Sequence, residues 1–233
     1  MMDSNVIVAL DFADQNKALA LVDRIEPKSC HLKVGKEMFT HFGPQWVSRL
    51  QRMGHSIFLD LKFHDIPNTT AKAVQAAADL GVWMVNVHTT GGVRMMESCR
   101  EILEPYGKDR PLLIGVTVLT SMTELELQQI YPNRHLSDHV LNLASLAHQS
   151  GLDGVVCSAQ EASLIKSQTS SLFKTVTPGI RLTDSALDDQ RRVMTPQAAV
   201  MNGADYLVIG RPITQANNPM AVLNQIQSEL RLR

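Results

Sequence analysis

Short apolar runs rich in β-branched residues recur along the whole chain, and segments of helix length separate them. Seven such runs stand out, at Val6–Leu10, 56–61, 82–87, 112–118, 154–157, Lys174–Thr177 and Tyr206–Ile209. Each is short enough for one strand buried on both faces, as strands of parallel sheets are. The intervening segments carry apolar residues at spacings of three and four, as at Leu143, Leu146 and Ala147. The alternation predicts an α/β fold with a parallel sheet.

A glycine recurs where a predicted helix gives way to the next predicted strand, which is the usual position of a helix C-cap. The four clearest junctions are at Gly54, Gly81, Gly151 and Gly203. A weaker strand at 31–34 brings the total to about eight strand–helix units, which is the number in a (β/α)8 TIM barrel. A doubly wound open sheet is the alternative, but it needs fewer units. No linker-like segment divides the chain, so we expect residues 1–233 to form a single domain.

Composition narrows the class of protein. The chain has 22 Lys+Arg against 23 Asp+Glu and 44% hydrophobic residues, which argues against disorder and against a nucleic-acid-coating role. The three cysteines, Cys30, Cys99 and Cys157, have no C-x-x-C spacing, so a disulfide framework or a thiolate zinc site is not indicated. The N-terminus lacks a basic leader, and no apolar run is long enough to span a membrane. We expect a soluble cytoplasmic protein.

Charged residues cluster at the ends of the first three predicted strands. Asp11 follows the first strand, Lys33 lies on the second, and Asp60, Lys62 and Asp65 lie on or just after the third. Active sites of this fold lie at the C-terminal ends of the strands. Two residues apart on a strand, Asp60 and Lys62 would face the barrel axis together. A buried ion-pair network is the structural alternative, but burying five charges is a poor route to stability, so the cluster favours a catalytic function.

The segment after this cluster predicts a helix start at the same mouth. Pro67 suits the first helical turn, which brings Thr69 close to the site. His64 and His88 are interpreted as packing or supporting residues. None of the eight histidines falls in a compact metal-ligand spacing, so we expect no metal ion.

The loops after strands seven and eight have the features of a phosphate site, which barrels often place there. Gly179 and Gly210 allow close backbone approach, Arg181 and Arg211 can grip phosphate oxygens, and Pro212 would open a helix. Ordinary turn glycines with surface arginines are the structural alternative. The polar stretch across 181–194 is interpreted as a lid that carries Gln190, with a solvated loop as the alternative.

Hydroxyl side chains follow the fifth strand. Thr120 and Ser121 precede an acidic helical run, and Ser121 or Thr123 alone could simply cap that helix.

The run D-L-K-F-H-D-I-P-N-T at 60–69 closely resembles the D-x-K-x-x-D-I-x-x-T motif of the orotidine 5′-phosphate decarboxylase family. The resemblance extends over nearly the whole chain and includes Asp11, Lys33, and the segments 119–121, 178–181 and 210–211. It implies a homodimeric TIM barrel that converts orotidine 5′-monophosphate to uridine 5′-monophosphate without metal or organic cofactor.

The same resemblance implies a role for each site residue. Lys62 would protonate C6 of the pyrimidine, Asp60 would lie beside the substrate carboxylate, and Lys33 and Asp11 would hold the ribose and the charge network. Asp65 and Thr69 would reach into the partner subunit's site, and Thr120 and Ser121 would lie near the base. The residues expected to bind phosphate are Arg181, Gln190, Gly210 and Arg211.

Two other functions remain open from the sequence. 3-keto-L-gulonate 6-phosphate decarboxylase and hexulose phosphate synthase share the D-x-K-x-x-D triad, but they bind magnesium through an acid at the end of strand two. Lys33 stands there in this chain and would repel a second cation. A non-catalytic phosphonucleotide-binding barrel is the other possibility, but phosphate binding alone would not need Lys62 beside two carboxylates.

Overall fold

The computed structural model describes residues 4–182 and 193–231 and contains a closed barrel of eight parallel strands. β1 pairs with both β2 and β8, so the sheet has no free edge and is not an open doubly wound sheet. The (β/α)8 barrel predicted from the alternation is confirmed. The strands are β1 Val6–Leu10, β2 His31–Gly35, β3 Ile57–Phe63, β4 Met84–His88, β5 Leu112–Val116, β6 Gly154–Val156, β7 Lys174–Thr177 and β8 Tyr206–Ile209.

Helices follow the strands and surround the barrel. The α-helices in the described part of the chain are α1 Gln15–Val22, α2 Lys36–Arg52, α3 Pro67–Asp79, α4 Val93–Glu101, α5 Glu124–Ile130, α6 Leu136–Gln149, α7 Ala162–Gln168, α8 Pro196–Met201, α9 Arg211–Thr214 and α10 Pro219–Arg231. Two short 3-10 helices, Thr89–Gly91 and Glu104–Asp109, lie on either side of α4. α2 is broken at Gly43, whose φ is 63°, and resumes at Pro44.

The glycines at the predicted helix-to-strand junctions adopt left-handed backbone conformations. Their φ values are 92° at Gly54, 75° at Gly81, 76° at Gly151 and 95° at Gly203. An L side chain is disfavoured there, whereas glycine has no Cβ to clash. The recurring glycine therefore has a direct structural cause, since it ends a helix and turns the chain back towards the barrel.

Two apolar clusters form the core. The larger fills the layer between strands and helices, and the smaller lies inside the barrel around Ile7, Phe58 and Met84. His31 stacks on Trp83 with ring centroids 3.6 Å apart, and Tyr206 contacts both rings edge-on. These aromatic residues begin or precede their strands. Side chains thus fill the N-terminal end of the barrel interior.

Strand five is shorter than the sequence predicts. The apolar run extends over 112–118, but β5 ends at Val116 and Val118 belongs to the loop beyond it. Val118 lines the cavity at the barrel mouth, so its apolar character serves that cavity and not a strand. None of the described helices is both long and apolar enough to cross a bilayer.

Candidate active site

A cavity of about 620 Å³ opens at the C-terminal mouth of the barrel. Ten of the residues singled out from the sequence line it: Asp11, Lys33, Asp60, Lys62, Thr120, Ser121, Gly179, Arg181, Gly210 and Arg211. Its floor is apolar and includes Phe58, Val176 and Val208. The fold therefore brings residues from distant parts of the sequence to one site.

Charges of alternating sign form a chain along one side of the cavity. Lys33 Nζ lies 3.2 Å from Asp11 Oδ1 and 3.3 Å from Asp60 Oδ2. Lys62 Nζ lies 2.6 Å from the other oxygen of the same carboxylate, Asp60 Oδ1. Asp11 is largely exposed, whereas Asp60 is nearly buried. The carboxylate of Asp60 is thus held between two ammonium groups.

The protonation states follow from this arrangement. Burial alone would raise the pKa of Asp60, but the charges of Lys33 and Lys62, with hydrogen bonds from Lys62 and Asn86, lower that pKa to about 2. Burial opposes the charged form of Lys33, but Asp60 and Asp11 together raise its pKa above the ordinary value. Both groups are therefore ionised at neutral pH.

The local backbone of β3 departs from the regular strand that the sequence suggests. Leu59 pairs with Val85 and Phe63 with Val87, so three residues of β3 lie opposite one residue of β4. Within this bulge Lys62 has a φ of 52°, a left-handed conformation that costs a non-glycine residue about 1–3 kcal/mol. Asp60 and Lys62 do converge, but regular alternation along a strand is not the reason.

Asn86 is a site residue that the sequence reasoning missed. Its side chain is fully buried, its Oδ1 accepts a hydrogen bond from Lys62 N at 2.8 Å, and its Nδ2 donates to Asp60 Oδ1 at 2.7 Å. A signal was present, because Asn86 is a lone amide within the apolar strand Met84–His88. Such a residue on a buried strand needs polar partners.

Asp65 and Thr69 are not among the residues that line the cavity of this chain. Both are exposed, and Asp65 Oδ1 accepts a hydrogen bond from Ile66 N at 2.6 Å. Pro67 occupies the first turn of α3, as predicted. The two side chains therefore lie near the same end of the barrel but outside its cavity.

The loops after β7 and β8 carry the candidate phosphate-binding residues. Gly210 immediately precedes α9, with Arg211 and Pro212 in its first turn, as the sequence predicts. Gly179 has a φ of 80°, and Arg181 contributes to the same cavity wall. Backbone bonds from Arg181 N to Met194 O and from Met194 N to Gly179 O join the ends of the predicted lid. Gln190 and most of that segment lie outside the described residues.

Thr120 and Ser121 follow β5 at the cavity wall, with Thr120 buried and Ser121 exposed. Thr123 caps α5 by accepting from Glu126 N, and the Glu126 side chain accepts in return from Thr123 N. Of the two candidate capping residues, the cap is therefore Thr123 and not Ser121. Phe12 and Gln215 also line the cavity, and the sequence reasoning did not identify them.

His64 and His88 lie beside each other with ring centroids 5.5 Å apart. Burial, with the charges of His64, Lys36 and Lys62, lowers the pKa of His88 to about 4, so it is neutral at pH 7. Across residues 4–182 and 193–231, no three His, Cys, Asp or Glu side chains are grouped so that they could hold a metal ion.

Comparison with known proteins identifies the family. The model of the orotidine 5′-phosphate decarboxylase / HUMPS family matches residues 4–226. The chain belongs to this family. Orotidine 5′-phosphate decarboxylase of Vibrio vulnificus strain YJ016 is 66% identical over 230 residues, which are 99% of each chain. The Photobacterium profundum protein of the same name is 64% identical and matches 99% of this chain and 100% of its own.

A solved structure supports both the fold and the family. The crystal structure of orotidine 5′-phosphate decarboxylase from Lactobacillus acidophilus superimposes with a TM-score of 0.87 at 35% identity. The alignment covers 98% of this chain and 100% of that one. The resemblance inferred from the motif at 60–69 is therefore confirmed, as is the barrel.

Proposed function

We propose that this protein decarboxylates orotidine 5′-monophosphate to uridine 5′-monophosphate and carbon dioxide. The observation that carries the proposal is the ionised Asp60 carboxylate held between the ammonium groups of Lys33 and Lys62 in the barrel mouth. Arg181 and Arg211, which follow β7 and β8 and line the same cavity, suit a phosphate group. The choice of substrate rests on the relatives named orotidine 5′-phosphate decarboxylase, which match nearly the full length of this chain.

The reaction needs a proton donor beside C6 of the pyrimidine. When the bond from C6 to the carboxylate breaks, its electron pair stays on C6 and carbon dioxide leaves. The carbanion lies in the ring plane, where no carbonyl group delocalises it. The Lys62 ammonium then gives a proton to C6, and the neutral amine regains a proton from water. We assign Lys62 this role because its side chain is partly exposed, it lines the cavity, and its ammonium has a counterion in Asp60.

Electrostatics sets the scale of what Lys62 can contribute. An ammonium about 4 Å from the developing anion gives about 4 kcal/mol at an effective dielectric constant of 20. That corresponds to about a thousandfold in rate. A single charge is too small an effect for a reaction whose uncatalysed barrier is high, so the rest of the site must contribute.

Two further contributions follow from the site. The Asp60 carboxylate would face the substrate carboxylate, and loss of carbon dioxide would relieve that repulsion. Binding of the phosphate by Arg181, Gly210 and Arg211, and by Gln190 of the predicted lid, would supply energy remote from the reacting bond. Thr120 and Ser121 would contact the base.

We propose that the reaction requires neither a metal ion nor an organic cofactor. The Lys33 ammonium already occupies the position between the carboxylates of Asp11 and Asp60, at 3.2 and 3.3 Å. A divalent cation there would face a fixed positive charge. This arrangement disfavours the magnesium-dependent sugar phosphate enzymes that share the D-x-K-x-x-D triad.

A homodimer is part of the proposal. Asp65 and Thr69 are exposed, and the large apolar side chain of Ile66 between them is 67% exposed. The family resemblance implies the homodimer, and the exposed Ile66 is compatible with a surface that a second copy covers. Asp65 and Thr69 would then complete the partner's cavity. We further propose a cytoplasmic location, which suits the buried free thiols of Cys30, Cys99 and Cys157.

The direct test is loss of orotidine 5′-monophosphate absorbance with purified protein and excess EDTA. We expect rapid loss, with uridine 5′-monophosphate as the product. Activity on a keto-sugar phosphate only after magnesium is added would assign the protein to the sugar phosphate enzymes instead. Inactivity in both assays would favour a nucleotide-binding protein.

A further inference from the structure

Asn86 lies opposite the bulge in β3 and touches both of its functional residues. Three residues of β3, Asp60, Leu61 and Lys62, lie between the pairs Leu59↔Val85 and Phe63↔Val87, where β4 has only Asn86. A regular ladder would satisfy the Lys62 amide with a backbone carbonyl. Here the amide donates instead to Asn86 Oδ1 at 2.8 Å.

The second bond of Asn86 reaches the carboxylate of Asp60. Asn86 Nδ2 donates at 2.7 Å to Asp60 Oδ1, the same oxygen that Lys62 Nζ contacts at 2.6 Å. The amide orientation is fixed by chemistry, since the Lys62 N–H can only donate and the ionised carboxylate can only accept. One side chain thereby links the backbone of Lys62 to the counterion of its ammonium.

We propose that Asn86 is a positioning residue for catalysis, which holds the left-handed backbone of Lys62 and the carboxylate of Asp60 in one fixed relationship. This inference rests on the proposed decarboxylation. Asn86 is fully buried and acts through these two residues without touching substrate. Serving both partners at once requires a donor and an acceptor on one short side chain, and the primary amide provides them.

The expected consequence is an effect on turnover and not on substrate affinity. Without Asn86 the Lys62 backbone loses the partner that supports its φ of 52°, and the carboxylate of Asp60 loses one of its donors. A displacement of about 1 Å in a catalytic group can cost about a hundredfold in rate. The residues proposed to bind phosphate lie on the loops after β7 and β8, so KM should change little.

The test compares Asn86→Leu, which keeps the shape but removes both bonds, with the wild type and a matched control. Thr89→Val is the control, because Thr89 is equally buried and loses only a bond to Val116 O. We expect kcat of Asn86→Leu to fall at least about a hundredfold with KM within about threefold. Thr89→Val should keep kcat near that of the wild type. A kcat of Asn86→Leu within threefold of the wild type would overturn the proposal, as would an equal loss in the control.

Two further measurements keep the result interpretable. If Asn86→Leu does not fold, Asn86→Ala replaces it. We expect at least a tenfold loss of kcat in Asn86→Ala, and an unchanged kcat would contradict the proposal. A crystal structure of the folded variant should show Lys62 outside the left-handed region or its Nζ displaced from Asp60. If the Lys62 backbone and its Nζ both keep their wild-type positions, the positioning role of Asn86 is overturned. This structural result does not depend on whether the wild type decarboxylates orotidine 5′-monophosphate. A wild type that does not decarboxylate orotidine 5′-monophosphate would count against the proposed function and not against the positioning role.

Discussion

Lys62 Nζ lies 2.6 Å from Asp60 Oδ1. Both residues lie in the bulge where β3 departs from regular pairing with β4. The short contact pairs the proposed proton donor with a carboxylate whose pKa is lowered to about 2. Asp60 therefore remains an anion throughout the pH range in which the enzyme would work. Its charge anchors Lys62 and, in the proposed mechanism, would face the substrate carboxylate.

Replacing Asp60 by Asn should lower kcat at least about a hundredfold, because two ammonium groups lose their shared counterion and the geometry of Lys62 is released. Affinity for uridine 5′-monophosphate, which lacks the carboxylate, should be retained. Steady-state kinetics and product binding by calorimetry measure both. Asp153→Asn is the matched control, since Asp153 pairs with Arg110 at 2.6 Å outside the cavity. Equal kcat values for Asp60→Asn and the wild type would refute the assignment.

Arg211→Ala should act mainly on KM. A hydrogen bond to a charged group contributes about 2 kcal/mol, which corresponds to about a thirtyfold rise in KM for the phosphorylated substrate. Kinetics at several substrate concentrations separate this from a change in kcat. Arg52→Ala on the exposed surface of α2 should leave both constants unchanged. An unaltered KM for Arg211→Ala would remove Arg211 from the phosphate site.

Mixing two inactive variants tests whether Asp65 acts across a dimer. If Asp65 completes the partner's site, a heterodimer of Lys62→Ala and Asp65→Ala chains contains one site with both residues intact. We expect activity to reappear on mixing, up to about a quarter of wild-type activity per chain when random exchange makes half of the dimers mixed. Two differently tagged chains allow the mixed dimer to be purified and assayed. A purified heterodimer without activity would place Asp65 in the site of its own subunit.

The stacked His31 should make the fold sensitive to mild acid. Burial lowers the pKa of His31 to about 4, against an ordinary value of 6.5, so the unfolded chain binds a proton that the folded chain excludes. The contribution of neutral His31 to the free energy of unfolding is therefore fully present above pH 6.5 and is lost as the pH falls from 6.5 to 4. Between pH 7.5 and pH 5 the loss from His31 is about 2 kcal/mol in the free energy of unfolding.

Urea denaturation at the two pH values measures that loss. His31→Phe keeps a ring against Trp83 but cannot titrate. Between pH 7.5 and pH 5 its free energy of unfolding should therefore decrease by about 2 kcal/mol less than that of the wild type. His41→Asn, which changes an exposed histidine, is the matched control. If the stability of His31→Phe has the same pH dependence as that of the wild type, titration of His31 does not cause the loss of stability in acid.

Much of the fold could be predicted because its determinants are local. Buried parallel strands read as short apolar runs, and helix ends that require a left-handed residue read as glycines. Barrel topology then explains why Asp11, Lys33 and Asp60 meet, since the C-terminal ends of adjacent strands share one mouth. The convergence therefore needed no knowledge of individual side-chain positions.

The details of the site could not be predicted because they depend on pairing between strands. The bulge in β3 arises from its register against β4, and nothing in the run at 57–63 alone indicates the left-handed Lys62. Asn86 matters because of that bulge, so its importance also appears only in three dimensions. Whether Asp65 and Thr69 reach a second cavity depends on another copy of the chain.

The most direct test of the proposed mechanism is turnover of orotidine 5′-monophosphate by the wild type and by Lys62→Ala, side by side with excess EDTA. We predict that the wild type forms uridine 5′-monophosphate and that Lys62→Ala loses at least about a thousandfold in kcat, the scale of one ammonium charge, while still binding the nucleotide. Turnover by Lys62→Ala close to that of the wild type would contradict the central role of Lys62.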